Sequence, residues 1–158
     1  MASNSRIIRA NKAIELTKFY TNAPVGDYAT QLCMIDQGYI YYFNDFMSEY
    51  RTMTPGSLSR RLSSATVNEQ ISFNRKMIAM LEEFDLYSNK KHTEYVKKRI
   101  ERCKLTIYIL QGKLRKAKKE LNLCYNSLSL IGKIKANVRN YFPRIYKWSE
   151  KVYYRRFF

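Results

Sequence analysis

Few side chains in this 158-residue sequence have the types and spacing that chemistry requires. His92 is its one histidine and follows Lys90-Lys91 in a short polar stretch, where an exposed turn residue is expected rather than a general base. Cys33, Cys103 and Cys124 lack metal-ligand spacing, and three free thiols in a reducing compartment are expected. Arg99, Arg102 and Lys104 lie close to Cys103 and would favour a thiolate, but Cys103 occupies an apolar stripe, where burial keeps a thiol inert. Glu82, Glu83 and Asp85 are an acidic cluster without metal-ligating partners. No glycine-rich phosphate loop is present. The expectation is a protein with no enzymatic activity, cofactor or metal.

The chemistry this sequence does offer is positive charge on regular elements. Lys97, Lys98, Arg102 and Lys104 form one group, and Lys113, Arg115, Lys116, Lys118 and Lys119 form another. Arg139, Arg144, Lys147, Lys151, Arg155 and Arg156 add a third. Cations at helical spacing present a regular array to backbone phosphates. Tyr141, Tyr146, Trp148, Tyr153 and Tyr154 are interleaved with the third group, and exposed aromatics stack on bases or sugars. Tyr141 and Trp148 fall on an apolar stripe and are assigned to the core.

The element that must position these cations is Val96–Leu128. Val96, Ile100, Cys103, Ile107, Leu110, Leu114, Ala117, Leu121, Cys124 and Leu128 step by four and three in strict alternation. That heptad seam predicts one long helix with a narrow apolar stripe. Gly112 sits inside it and is expected to permit a slight bend or a close neighbour. A third helix is expected from Thr54-Pro55 to Tyr87, with Phe73, Met77, Met80, Phe84 and Tyr87 on its seam. The short polar link Ser88–Thr93 makes the pair an antiparallel hairpin, with arms of about 45–50 Å. Upstream, helices are expected over Ser5–Tyr20 and, capped by Asp27, to about Tyr50. Within the latter, Tyr39–Phe43 has a strand alternative. Downstream, Ile134, Val138, Tyr141, Ile145, Trp148 and Val152 form a last stripe, which Pro143 kinks or splits.

The fold class is therefore all-α: about five helices in a single domain. A near-neutral, aromatic-rich part (1–53) precedes the hairpin (54–128) and a basic aromatic segment (129–158). Of the net charge of +16, residues 92–158 carry +14, from eighteen Lys/Arg against four Asp/Glu. Such asymmetry favours an anionic partner. The reading is a structural nucleic-acid-binding protein, DNA or RNA, contacting phosphates with little sequence preference. It would act as a packaging nucleoprotein or a ribonucleoprotein-particle component, with assembly into a homo-oligomer or larger particle. Two alternatives stand beside it. One is a peripheral protein binding an anionic membrane through its C-terminal segment, and the other a coiled-coil adaptor for an acidic protein. No apolar run reaches the roughly 18 residues of a membrane span, and no signal peptide is apparent, so an intracellular, reducing location is expected.

Overall fold

The computed structural model describes residues 23–38, 54 and 56–149. Among the described residues every regular element is a helix, in agreement with the all-α expectation. The elements are α1 (Gly26–Gln37), α2 (Leu58–Ser64), α3 (Val67–Tyr87), α4 (Thr93–Leu110), α5 (Leu114–Glu120), α6 (Asn122–Asn126), α7 (Leu130–Tyr141) and a last helical stretch, α8, over 143–149. The helix expected over Ser5–Tyr20 and the Tyr39–Phe43 segment lie outside the described residues. Helices are more numerous and shorter than expected, because three predicted elements are divided.

The hairpin is α3 and α4, packed along their lengths. Its arms are about 31 and 27 Å long, shorter than expected because both helices are broken. The first break is at Ala65 and Thr66, both extended, which separates α2 from α3. Thr66 and Glu69 form a capping box there. Thr66 Oγ1 accepts from the Glu69 amide at 3.3 Å, and Glu69 Oε2 accepts from the Thr66 amide at 2.6 Å. Two first-turn donors are thus satisfied locally, and a new helix starts where a continuous one was expected.

Each arm of the hairpin ends in the same way. After α3 the Lys90 amide donates to Asp85 O at 2.7 Å and the Asn89 amide to Leu86 O at 3.1 Å, with Asn89 left-handed at φ 50°. After α4 the Lys113 amide donates to Tyr108 O at 2.8 Å and the Gly112 amide to Ile109 O at 3.1 Å, with Gly112 at φ +71°. Both are Schellman turns, which close the free carbonyls at a helix end. Gly112 therefore terminates α4 instead of bending a longer helix, and the single helix expected over Val96–Leu128 is corrected to α4, α5 and α6. The seam survives the breaks: Val96, Leu114, Ala117 and Cys124 are buried, and the other six positions are partly buried, within one chain.

Two cores lie on opposite sides of α4. Val96 faces the first, made with Met77, Met80, Leu81 and Phe84 of α3 and Ala29 and Leu32 of α1. Leu105, nine residues on and about 180° around the helix, faces the second, with Leu114, Ala117, Cys124 and Ala136. As expected, Met80 and Phe84 meet Val96, Ile100 and Cys103 near the hairpin turn, with Tyr87 at the exposed rim. His92, expected to be exposed, is instead held. Its ring stacks on Phe84 at 5.7 Å, and its Nε2 lies 3.1 Å from Asp36 Oδ1. Lys91 Nζ lies 3.6 Å from the same oxygen, so Asp36 fastens the end of α1 to the hairpin turn. α1 begins with Val25 at its N-cap, and Asp27 lies in its first turn rather than capping it. α1 ends at Gln37, because Gly38 is extended at φ 164° and ψ −161°, so the unbroken helix expected to about Tyr50 is corrected at that point, and residues 39–50 lie outside the described residues. Cys33 and Cys124 are buried and Cys103 is partly buried, and all three thiols are free.

Candidate nucleic-acid interface

The densest run of cations leads into and along α5. Leu114 and Ala117 are fully buried and fix which way this short helix faces. At about 100° per residue, Arg115, Lys116 and Lys119 then point away from the core, and Lys118 and Lys113 flank it. All five are exposed. One local and one long-range feature hold the start of α5. The Gly112 turn delivers the chain, and Asn140 Oδ1 of α7 accepts from the Leu114 amide at 3.0 Å. A first-turn amide that a local cap would ordinarily satisfy is thereby tied to another helix.

Neighbouring groups restrain some of these cations. Lys116 Nζ lies 3.6 Å from Glu120 and 5.5 Å from the centre of the Tyr108 ring, and Lys118 Nζ lies 5.0 Å from that of Tyr125. The Tyr108 hydroxyl donates to Glu120 Oε2 at 2.6 Å. That bond, with Lys116 and Lys119 nearby, holds the Glu120 carboxyl below the usual carboxylate range, and the same bond raises the Tyr108 hydroxyl. Glu120, the only acid between Leu105 and Ser149 against ten Lys/Arg, is thus already occupied.

On α4 the expected single group divides. Lys97 and Lys104, seven apart, share one flank with Glu101 beside them, and Lys98 and Arg102 share the other. All four cations are exposed. Arg99, between these flanks and the first core, is committed to α1: its Nε donates to the Tyr28 hydroxyl at 3.1 Å, with its guanidinium 5.4 Å from the ring centre. Burial, aided by a hydrogen bond to Tyr95 and opposed by Arg99, pushes the Tyr28 hydroxyl up to about 12.

The third group is changed most. Arg139 is partly buried and structural. It donates to Gln70 Oε1 at the start of α3 and lies 5.0 Å from the centre of the Tyr146 ring. Arg144 and Lys147 are exposed on α8, while Lys151, Arg155 and Arg156 lie outside the described residues. Tyr141 and Trp148, assigned to the core from their stripe, are exposed. As far as Trp148 the stripe is helical, and Pro143 does split it after Phe142, but it faces away from the second core, and Val152 lies outside the described residues. α7 turns Ala136 inward with Asn140, while Asn137 donates to the Tyr125 hydroxyl at 3.1 Å. Small and polar residues make this contact, and the large apolar ones are left outside.

Burial raises the thiols of Cys33, to about 11, and of Cys103 and Cys124. For Cys103 this outweighs the nearby Arg99. Among the described residues no three His, Cys, Asp or Glu side chains converge on a metal site, and no helix is long and apolar enough to cross a membrane. Comparison with protein-family models, with curated proteins and with solved structures finds no match.

Proposed function

We propose that the chain is a structural, non-enzymatic nucleic-acid-binding protein that grips the phosphates of DNA or RNA with little sequence preference. It would act as a packaging nucleoprotein or a small component of a ribonucleoprotein particle, in a reducing setting where its three free thiols persist. One observation carries this reading: buried Leu114 and Ala117 hold Arg115, Lys116 and Lys119 outward on a helix whose only acid is already engaged. Cations on such a frame bind by releasing the counterions condensed on the polymer. The exposed cations of α4 and α8 extend the charged surface on either side in sequence. The coiled-coil adaptor reading is less well supported, because it needs a free seam and every seam position from Val96 to Leu128 is at least partly covered within the chain.

The test is a salt titration of binding to duplex DNA, duplex RNA and single strands of matched length, followed by fluorescence anisotropy. Affinity is expected to fall steeply with salt. The triple variant R115Q/K116Q/K119Q is expected to bind more weakly to every ligand and to lower the slope of log K against log salt by about 2.7 on duplex DNA and about 2 on single strands. Its helicity should be unchanged, since all three side chains are exposed. An unaltered slope would remove α5 from the interface, and no binding at low salt would overturn the reading.

A further inference from the structure

The outer face of α7 and α8 is built for a different environment from the one that suits α5. Leu130 is 79% exposed, Ile131 67%, Ile134 62% and Trp148 67%. On α7 the first three fall within about 100° of helix circumference, on the side opposite Ala136. Exposed Tyr141 joins them at the helix end, and Phe142 and Ile145, the next large apolar residues in the chain, are exposed as well. Contiguous apolar exposure of this kind marks a surface that something else covers.

Charge selects what covers it. Exposed Lys135 rims the face on α7, and exposed Arg144 and Lys147 lie beside Ile145 and Trp148 on α8. A second copy would bring two strongly basic surfaces together, because residues 105–149 carry ten Lys/Arg and one Asp/Glu. Nucleic acid offers phosphates but no hydrocarbon phase for Leu130, Ile131 and Ile134. An anionic bilayer surface offers both, with acyl chains for the aliphatic residues, the headgroup level for Tyr141 and Trp148, and negative charge for the rim. We infer that the α7–α8 face is a membrane-docking surface that lies in the interface of an anionic lipid bilayer. This site is distinct from α5 and does not depend on the phosphate-binding reading.

Trp148 is the only tryptophan, so its emission reports on this face directly. The full chain, free of nucleic acid, is mixed with vesicles of phosphatidylcholine alone or of phosphatidylcholine with phosphatidylserine. With the anionic vesicles its emission should shift to the blue and the protein should float with the lipid, and with the neutral vesicles neither should occur. The variant I131S/I134S, altered only at exposed positions, should keep its helicity and lose about tenfold or more in vesicle affinity. Three results would overturn the inference. The first is no flotation with anionic vesicles at low salt, and the second is a variant that binds them as the parent does. The third is a lipid-free oligomer that I131S/I134S dissolves, which would give the face to a second copy. None of these would bear on the salt slope assigned to α5.

Discussion

The two cores on either side of α4 are built on opposite plans. The first is closed by large side chains: Phe84, Leu81 and Leu32 are almost wholly buried, with Met77 and Met80 beside them. Its hairpin, residues 67–104, carries mixed charge, nine Lys/Arg against six Asp/Glu. Among the described residues the second has Leu105 and Leu114 as its only large buried aliphatic residues, with Ala117, Cys124 and Ala136 around them. Single polar bonds make up part of the difference: Asn140 to the start of α5, Asn137 to Tyr125, and Arg139 to Gln70. Its stretch of chain is almost uniformly basic. The first region has the larger apolar burial and mixed charge, whereas the second has less burial and more self-repulsion.

Core truncation should break this comparison most visibly. Phe84→Ala removes the ring that fills the first core and stacks on His92, and should cost about 3–5 kcal/mol. Because α4 belongs to both cores, denaturant unfolding should weaken the whole chain together. Leu114→Ala should cost about 2–5 kcal/mol by the same measure, yet act regionally. Amide exchange should quicken through α5, α6 and α7 while the centre of α3 keeps its protection. Equal loss of protection in both regions would mean that the cores are one cooperative unit.

A smaller effect sharpens the boundary between them. Gly112 has open space around the position of a Cβ but a left-handed backbone, so Gly112→Ala is opposed by backbone conformation alone. It should cost about 1–2 kcal/mol with helix content unchanged. A gain in helix content would mean that α4 and α5 can fuse along their common seam.

The least effect belongs to the first region. The amide and hydroxyl of Thr66 hold the Glu69 carboxyl below its usual range. Its folded pKa is below its unfolded one, so this support is present above the unfolded value of about 4.3 and is lost as pH falls through the folded value. Thermal melts of Glu69→Gln should lie slightly below the parent at neutral pH and converge with it in acid.

Much of this was legible in the sequence, but unevenly. Each of the ten seam positions from Val96 to Leu128 is at least partly buried, but the seam missed Leu105, which is buried on the other side of α4 and anchors the second core. The seam concealed the helix ends, because Leu110 and Leu114 stay four apart although a Schellman turn lies between them. The signals for the breaks were local and present: glycine at 112, and threonine followed three residues later by glutamate at 66 and 69. For α7 the period found the right stripe and gave no sign of what covers it, so Tyr141 and Trp148 were placed inside. The bonds of Asn140 and Arg139 span 26 and 69 residues, and a single polar contact at such range leaves no mark on local sequence. The committed role of Arg139, and its loss from the expected phosphate-binding set, could be recognised only in three dimensions.

The position of α4 between two cores has a consequence for biosynthesis. A chain leaves the ribosome N-terminus first, at about 5–20 residues per second. The hairpin can close as soon as Leu110 has emerged, since Val96 and Phe84 are then both available. The opposite side of α4, with Leu105, Tyr108 and Ile109, must wait for Ala136, 26 residues behind Leu110. For a second or more each new molecule carries an uncovered apolar strip on a finished helix. A nascent-chain chaperone has its opportunity in that interval, and cutting the chain anywhere before α7 would make the interval permanent.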